Sequence, residues 1–195
     1  MSPDAGEIPY LKVYNLTFTG VVDFSVRPTF VARETHKGRL KRSRVYPSDV
    51  LMNIVGPPLG KVSMVPDDYP EWNINQAIAV FRPLPSMRSD FITWCLLSPL
   101  IVGAATRRAK ATAGQHNLTL EICRELALPL PPPSEQAEII QRLDQLLGLA
   151  GGLQARVEAA SKHVERSSHA VLAKAFRGDL LPSELNTDEK VWQSS

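Results

Sequence analysis

Two clusters of cationic side chains are the groups in this sequence whose types and spacing best fit a chemical role. Lysine and arginine at such short spacing neutralise neighbouring phosphates and release counterions, which is how proteins bind polyanions. The net charge of the chain is only +2, so the clusters stand out by their position. For either cluster alone, a solvated loop or helix end remains the alternative. The first cluster consists of Lys37, Arg39, Lys41, Arg42 and Arg44, and the second of Arg107, Arg108 and Lys110.

The segment that follows the second cluster could read the edges of DNA bases. Gly114 allows close backbone approach, and Gln115 and Asn117 carry amides that can form paired hydrogen bonds with a base edge. His116, between them, is a third candidate. The alternative for Asn117 is that its side chain caps the turn into residues 118–126, which would leave Gln115 merely exposed.

Catalytic machinery is not recognisable in this sequence. Residues 56–61 resemble a phosphate-binding loop only superficially, because no Ser or Thr follows Lys61 and two prolines replace amide donors. The tetrad from Gly56 to Leu59 lacks the Asn or Asp and the Tyr of the amino-methyltransferase tetrad. The histidines share no metal-ligand spacing, and no Ser/His/Asp or Cys/His set can be assembled. The sequence therefore predicts a binding protein that is not an enzyme and uses no cofactor or metal.

The elements that must position these side chains are short strands followed by helices. Apolar runs and alternation predict the strands, whereas cap residues and helical periodicity predict the helices. Ser89 or Asp90 is expected to cap the first helix. Strands and helices do not alternate regularly, so the sequence predicts an α+β fold whose first domain is mixed α/β. The predicted strands are 10–14, 21–26, 50–55, 61–65 and 77–81, and the predicted helices are 90–97, 99 toward 110, and 120–126.

A long amphipathic helix is predicted after the proline-rich segment 129–133. The prolines hold the backbone extended, so the first domain must end there, and Ser134 can cap the next helix. An apolar seam then repeats for about four heptads, which is typical of a coiled coil. At ~1.5 Å per residue a helix over 134–177 would be roughly 60 Å long, so its seam needs a partner helix. The seam consists of Leu143, Leu146, Leu153, Val157, Val164 and Val171.

Three glycines inside this helical pattern leave two alternatives open. Each glycine costs a helix about 1 kcal/mol relative to alanine. They mark either a loop between two shorter helices or a place where a facing helix or another subunit approaches closely. The three are Gly148, Gly151 and Gly152.

Composition agrees with one domain plus this appendage. The chain has 195 residues, 44% of them apolar, and the part before the helix is long enough for one core. Cys95 and Cys123 have no metal-ligand spacing and are expected to be reduced thiols in a cytoplasmic protein. The sequence starts without a secretion pattern, and no apolar run reaches the ~18 residues of a membrane helix. The expected organisation is a domain at 1–132, a helix at 134–177 and a polar tail at 178–195.

The most specific pair of motifs in this chain is Leu-Pro-Leu-Pro-Pro with Glu-Gln at 135–136, and Ala-Phe-Arg-Gly-Asp-Leu at 175–180. Together with weaker motifs spread over nearly the whole chain, this pair resembles the specificity (S) subunit of type I restriction-modification systems. The resemblance implies a target recognition domain that reads one half of a bipartite site in double-stranded DNA. It also implies that the helix is a spacer, which pairs antiparallel with a second spacer helix and docks the methyltransferase (modification) subunit. The restriction subunit would then be an indirect partner. The other motifs lie at 6–11, 47–51, 56–61, 75–76 and 114–118.

The chain departs from the resemblance in two ways. A full-length S subunit carries two recognition domains and two spacer helices, whereas this sequence has one of each, and residues that usually precede Ile-Pro-Tyr are absent. We therefore expect a half-size subunit or a fragment, whose helix pairs with itself or with another S half. Two other functions stay as alternatives. One is a coiled-coil assembly protein without DNA contact, against which the basic clusters argue. The other is a fragment of a fused restriction-methylation enzyme, against which the missing tetrad argues.

Overall fold

The computed structural model of the chain describes residues 7–108, 111–112 and 115–180. These residues divide between two compact units, 1–141 and 142–195. The helices are α1 (Arg33–Lys37), α2 (Ser89–Leu97), α3 (Pro99–Arg108), α4 (Leu120–Arg124) and α5 (Pro133–Phe176). The strands are β1 (Glu7–Leu11), β2 (Gly20–Val21), β3 (Phe30–Ala32), β4 (Arg44–Val45), β5 (Val50–Asn53), β6 (Val62–Met64), β7 (Trp72–Ile74), β8 (Ile78–Phe81), β9 (Ala111–Thr112) and β10 (Gln115–His116).

Two four-stranded mixed sheets form the framework of the first unit, with the orders β3-β1-β7-β4 and β2-β6-β5-β8. In the first sheet, β1 runs parallel to β7 and antiparallel to β3. In the second, β5 runs antiparallel to both β6 and β8, while β2 is parallel to β6. Strands and helices are thus combined without a regular β-α alternation, and the predicted α+β class is confirmed.

Strand β5 contributes to both hydrophobic cores of the unit. Val50 and Met52 belong to a core that includes Leu96 of α2, whereas Leu51 belongs to a second core built around Trp72. Successive side chains of a strand point to opposite faces, so an entirely buried strand must be apolar on both. This is why the apolar run at 50–52 predicts a buried strand.

Two predicted strands are confirmed only in part, because a loop follows β1. Of the predicted strand 10–14, residues 10–11 belong to β1 and residues 13–15 form a 3-10 turn. Of the predicted strand 21–26, only Val21 lies in a sheet strand, the two-residue β2. The cause is Asn15, which is buried and whose side chain accepts a hydrogen bond from Lys12 N and donates to Asp23 O and Val26 O. These bonds satisfy the loop backbone locally, so it does not need a strand partner.

Helix α2 begins at the predicted position but without the predicted cap. Its N-cap residue is Arg88, and no side chain caps it. Asp90 instead lies inside the first turn, where its carboxylate accepts from Phe91 N at 2.8 Å and pairs with the Arg88 guanidinium at 2.6 Å. The prediction that Ser89 or Asp90 caps the helix was therefore wrong. The negative charge of Asp90 in the first turn still interacts favourably with the helix dipole.

Helix α5 is continuous from Pro133 to Phe176 and passes through all three glycines, so the alternative of a loop between two helices was wrong. Its first residue is Pro133, one residue before the predicted range, and proline suits the first helical position because no amide is needed there. At the other end Gly178, with φ of 77°, donates to Ala175 O, and Asp179 donates to Lys174 O at 2.9 Å. This paired arrangement at a left-handed glycine ends the helix as predicted.

No single helix among the described residues is long and apolar enough to cross a membrane. Helices α2 and α3 meet the length and composition test only together, as a pair bent by 60°.

Candidate nucleic-acid interface

The first cationic cluster lies in the basic segment, which we define as residues 37–44. Helix α1 ends at Lys37 with Gly38 as its C-cap, whose amide donates to Glu34 O. A 3-10 turn at Lys41–Ser43 then leads into β4. Four cationic side chains of this segment are exposed. Among the described residues their side chains form no ion pair and no hydrogen bond, so their charges are free to meet a ligand. The exposed cations are Lys37, Arg39, Lys41 and Arg42.

A buried polar network fixes the basic segment to strand β7. His36 is only 2% exposed, and its Nδ1 lies 2.7 Å from Asn73 Oδ1 while its Nε2 lies 2.8 Å from Glu71 Oε2. The side-chain amide of Asn73 donates from Nδ2 to Leu40 O and to Ser43 Oγ. Its Oδ1 therefore faces the imidazole ring and accepts a hydrogen bond from His36 Nδ1. The segment is therefore anchored at its start, middle and end, a degree of order that a merely solvated loop does not require.

Arg44 differs from the other predicted cations of this segment. It is half-buried, its guanidinium donates to His36 O at 3.4 Å, and its Nε is buried without a partner among the described residues. Its position on β4, opposite Asn73 of β7, turns it toward the domain. Arg44 thus supports the segment from inside, and the surface charge comes from the other four cations.

The second cluster and the amide-rich segment are described only in part. Arg107 is exposed near the end of α3. Gln115 and His116 form β10, which pairs with β9 as a short antiparallel hairpin, but the side chains of Arg108, Gln115 and His116 are not among those described. Lys110 and Gly114 lie outside the described residues altogether. The predicted base contacts in this hairpin therefore stay predictions.

Asn117 has a different structural role from the predicted one. Its Oδ1 accepts a hydrogen bond from Gly56 N at 3.4 Å, and Leu118 N donates to Ile54 O, so this strand end is tied to the end of β5. The cap of helix α4 is Thr119, whose hydroxyl accepts from Ile122 N at 3.2 Å. The alternative in which Asn117 caps this turn was therefore wrong, because the N-cap position is occupied by Thr119, whose side chain reaches the free amides of the first turn.

A cavity of about 580 Å³ beside the basic segment was not predicted from the sequence. Its walls come from the basic segment, the turn before β8, strand β8 itself and helix α4. Arg39 and Arg42 line it on one side and Arg124 of α4 on another. These elements are far apart in the chain, so no local spacing could have indicated the cavity.

The remaining candidate groups are possible metal ligands and the two cysteines. No group of three or more His, Cys, Asp or Glu side chains within the described part of the chain could hold a metal ion. Cys123 is buried and Cys95 half-buried, both as free thiols, and burial raises the pKa of each. A raised pKa disfavours the thiolate, which is the reactive form, and Cys123 packs in the first hydrophobic core.

The apolar seam of α5 is exposed along most of its length. Leu146, Leu153 and Val157 are 64, 61 and 64% exposed, and only Leu143 is half-buried. Further along, Val164 and Val171 are also exposed, and Phe176 near the helix end is 90% exposed. A contiguous apolar stripe of this length on a helix usually marks an interaction surface.

The family model described as "Type I restriction modification DNA specificity domain" matches residues 4–159. The chain belongs to this family. The match includes the basic segment, the cavity and the start of α5, so the candidate interface lies within the specificity domain. The suspected resemblance to type I specificity subunits is confirmed at this level.

Similarity to individual proteins agrees with the family assignment. The chain is 34% identical over 143 residues to the type I restriction enzyme EcoBI specificity subunit of Escherichia coli, a match that covers 72% of this chain and 29% of the relative. It is 39% identical over 69 residues to the StySPI specificity subunit of Salmonella potsdam, which covers 35% of this chain and 15% of the relative. The chain thus spans less than a third of the length of these curated relatives.

Two solved structures share the specificity-domain fold. The HsdS subunit from Thermoanaerobacter tengcongensis superposes with a TM-score of 0.70 at 18% identity, over 87% of this chain and 43% of that one. A chain from a study of complex assembly and conformational transition of the type I R-M system gives a TM-score of 0.68 at 21% identity, over 91% of this chain and 40% of that one. At these identities the likeness establishes the fold and not the ligand.

Proposed function

We propose that this chain is a sequence-recognition component of a type I restriction-modification complex. Its domain at 1–132 reads one half of a bipartite DNA site, and the helix at 134–177 pairs with a second helix and docks the modification subunit. The observation that carries the proposal is the combination of a DNA specificity domain match over 4–159 with exposed cations held on a buried network. The chain itself performs no chemistry in this proposal.

Phosphate contacts and base contacts have different places in the proposed interface. Lys37, Arg39, Lys41 and Arg42 meet the DNA backbone, because flexible cations on a fixed segment suit phosphates and carry no sequence information. Arg107, Arg108 and Lys110 add phosphate contacts beside the hairpin. Gln115, His116 and Asn117 are the proposed base-reading residues, with Gln115 first because the Asn117 oxygen already accepts from Gly56. Arg44 contributes through the segment's fold.

The salt dependence of DNA binding tests the phosphate contacts. The variant Lys37→Ala/Lys41→Ala leaves the His36 network and the cavity untouched. Each lost phosphate contact reduces the slope of log K against log salt by about 0.9, so the double variant should reduce it by about 1.8 on duplexes of any sequence. Arg156→Ala/Arg166→Ala, on the exposed helix, is the charge-matched control. An unchanged slope in Lys37→Ala/Lys41→Ala would show that the basic segment is only a solvated surface.

Selection from a randomised duplex library tests the base contacts. The reconstituted complex with wild-type chain should enrich one sequence pattern, and the Gln115→Ala complex should lose preference at one position. A good bidentate pair discriminates by about 1–3 kcal/mol, which is roughly tenfold or more in relative affinity. Association with the modification subunit should survive, since that contact is placed on α5. Identical enriched patterns for both complexes would remove Gln115 from the interface.

The proposed partner helix follows from the exposed seam. With one chain alone, apolar side chains such as Leu153 and Val157 stay more than half exposed. A coiled coil with a second copy or with another S half would bury them, and the modification subunit would dock on the paired helices. The restriction subunit would join only through that assembly.

A further inference from the structure

The cavity beside the basic segment combines a cationic rim with an apolar floor. Its volume is about 580 Å³, within the ~300–1,000 Å³ range of small-molecule sites. Buried Ile78 and Ala79 of β8 belong to the floor, and Phe81 adds an aromatic ring. Tyr10 of β1 is a second aromatic ring in the wall. Such a cavity offers a flat heteroaromatic group both an apolar surface and stacking partners.

The charge around the cavity is one-sided. Arg39, Arg42 and Arg124 all line it, and the lining includes no Asp or Glu side chain. Within the described chain, none of the three guanidinium groups makes an ion pair or a hydrogen bond. Three like charges around one opening repel each other unless an anion joins them, and guanidinium groups match phosphate oxygens in geometry. The rim therefore fits a phosphate.

An exposed amide adds hydrogen-bonding capacity for a base. Gln76 is exposed at the cavity, with both a donor and an acceptor to offer. Asn75, next to it, has a buried side-chain oxygen that no donor among the described residues reaches. Because that oxygen is buried, the exposed amide of Gln76 is the group that can meet a ligand in the cavity. The exocyclic amino groups and ring nitrogens of nucleobases can pair with such an amide.

We infer that this cavity binds a single nucleotide unit, with its phosphate on the guanidinium groups of Arg39, Arg42 and Arg124 and its base on the floor between Tyr10 and Phe81. The inference deepens the proposed function, since DNA is the polyanion the domain is proposed to meet. Two sources supply this chemistry. One is a nucleotide turned out of a DNA duplex, and the other is a free nucleotide from solution.

Titration of the full chain with nucleoside 5′-monophosphates tests the cavity itself. The four deoxynucleotides, a nucleoside without phosphate and inorganic phosphate are compared by calorimetry or amide chemical shifts. We expect at least one nucleotide to bind at least tenfold more tightly than either the nucleoside or phosphate alone. Arg39→Ala/Arg124→Ala should weaken that binding at least tenfold, whereas Arg156→Ala, on α5, should leave it unchanged. Equal weak binding of all probes, or insensitivity to Arg39→Ala/Arg124→Ala, would overturn the inference.

A variant that fills the cavity tests whether the nucleotide binds inside it, without changing the arginines. Leu120 lines the cavity and is 50% exposed, so Leu120→Trp can occupy the opening without disturbing the core. This variant should abolish nucleotide binding while it keeps the wild-type melting temperature. If the melting temperature falls, the arginine variants alone decide, because they change exposed side chains. Nucleotide binding that survives in a folded Leu120→Trp variant would place the site elsewhere.

A fluorescent duplex identifies the source of the nucleotide. A duplex with one unpaired 2-aminopurine should brighten when the wild-type chain binds it and the base leaves the stack. Leu120→Trp should bind the duplex without this increase. Binding of free nucleotides with no increase on the duplex assigns the cavity to a free nucleotide.

The proposed function and this inference fail separately. If duplex binding keeps the salt slope set by Lys37 and Lys41 but no nucleotide binds, only the cavity inference is wrong. If nucleotides bind but duplexes do not, the cavity is a nucleotide site and the proposed DNA recognition is wrong.

Discussion

Replacement of Gln136 tests how the domain holds the start of its long helix. Gln136 is completely buried in the first turn of α5. Its Oε1 accepts from Arg88 N at 2.9 Å, and its Nε2 donates to Ser86 O at 3.0 Å and to Pro131 O at 2.8 Å. One side chain thus joins the proline segment, the residues before α2 and the helix start.

The expected loss of stability follows from these three bonds. Gln136→Ala leaves one backbone N–H and two carbonyl oxygens without their partner in a buried site. An unsatisfied buried polar group costs about 1–3 kcal/mol, although water entering the new space recovers part of that cost. We expect the free energy of unfolding to fall by about 3–5 kcal/mol, which is a large share of the ~5–15 kcal/mol typical of a domain. Few single substitutions have effects of this size.

Urea unfolding of the full chain, followed by far-UV circular dichroism, measures the change. Gln141→Ala is the matched control, because Gln141 is exposed on the same helix and its replacement should change stability by less than ~0.5 kcal/mol. Gln136→Glu should be at least as damaging as Gln136→Ala, since a carboxylate cannot donate to the carbonyls of Ser86 and Pro131. A loss below ~1 kcal/mol in Gln136→Ala, or one equal to that of Gln141→Ala, would refute the reasoning.

Four further outcomes are expected. Leu153→Asp/Val157→Asp should turn a self-associating chain into a monomer in sedimentation at tens of micromolar, and a wild-type chain already monomeric there would contradict the self-pairing of the seam. Thr119→Ala should lower the free energy of unfolding by about 1 kcal/mol in urea denaturation, because the cap of α4 is lost. Asn117→Ala should lower the free energy of unfolding by less, since the hydrogen bond from Gly56 N to Asn117 Oδ1 is 3.4 Å long. Asn73→Ala should speed hydrogen exchange at the amides of Lys41 and Ser43, and unchanged exchange would show that the His36 network does not hold the basic segment. In a monomeric variant, Gly148→Ala should stabilise the helix by about 1 kcal/mol in thermal unfolding, because a Cβ there meets nothing within 4 Å. The same substitution in the otherwise wild-type chain tests for a facing helix, since weaker association in sedimentation would indicate that such a helix lies close to Gly148.

Elements with a long periodic pattern could be predicted from the sequence, and very short ones could not. The apolar run of β5, the apolar helix α2 and the heptads of α5 all appear close to their predicted places. Strands such as β4 and β7, of two and three residues, were missed, because a period of two needs more residues to be visible. Helix α1 was missed for the same reason, since five polar residues carry no apolar stripe.

The sequence predicts which residues of the candidate interface are cationic, but it does not predict which of their side chains face the solvent. Arg42 and Arg44 are two residues apart in the same basic cluster, yet one is exposed and the other reaches back to His36 O. Pairing of β4 with β7 decides this difference, and that pairing is long-range. The cavity illustrates the same limit, because its three arginines come from the basic segment and from α4.

Several of the motifs that carry the family resemblance are explained by the structure as supports of the fold. Gln136 has its three buried hydrogen bonds. Gly60 has a φ of 89°, and a Cβ there would lie 2.8 Å from Val102 Cγ1, so only glycine fits. Asp49 is buried, accepts from Tyr46 N and holds the Arg82 guanidinium with both oxygens. Side chains fixed by such contacts have few substitutes, which is why these motifs could be recognised in the sequence. The exposed cations of the basic segment have no such contacts among the described residues, so residue type alone indicated them and packing added nothing to the prediction.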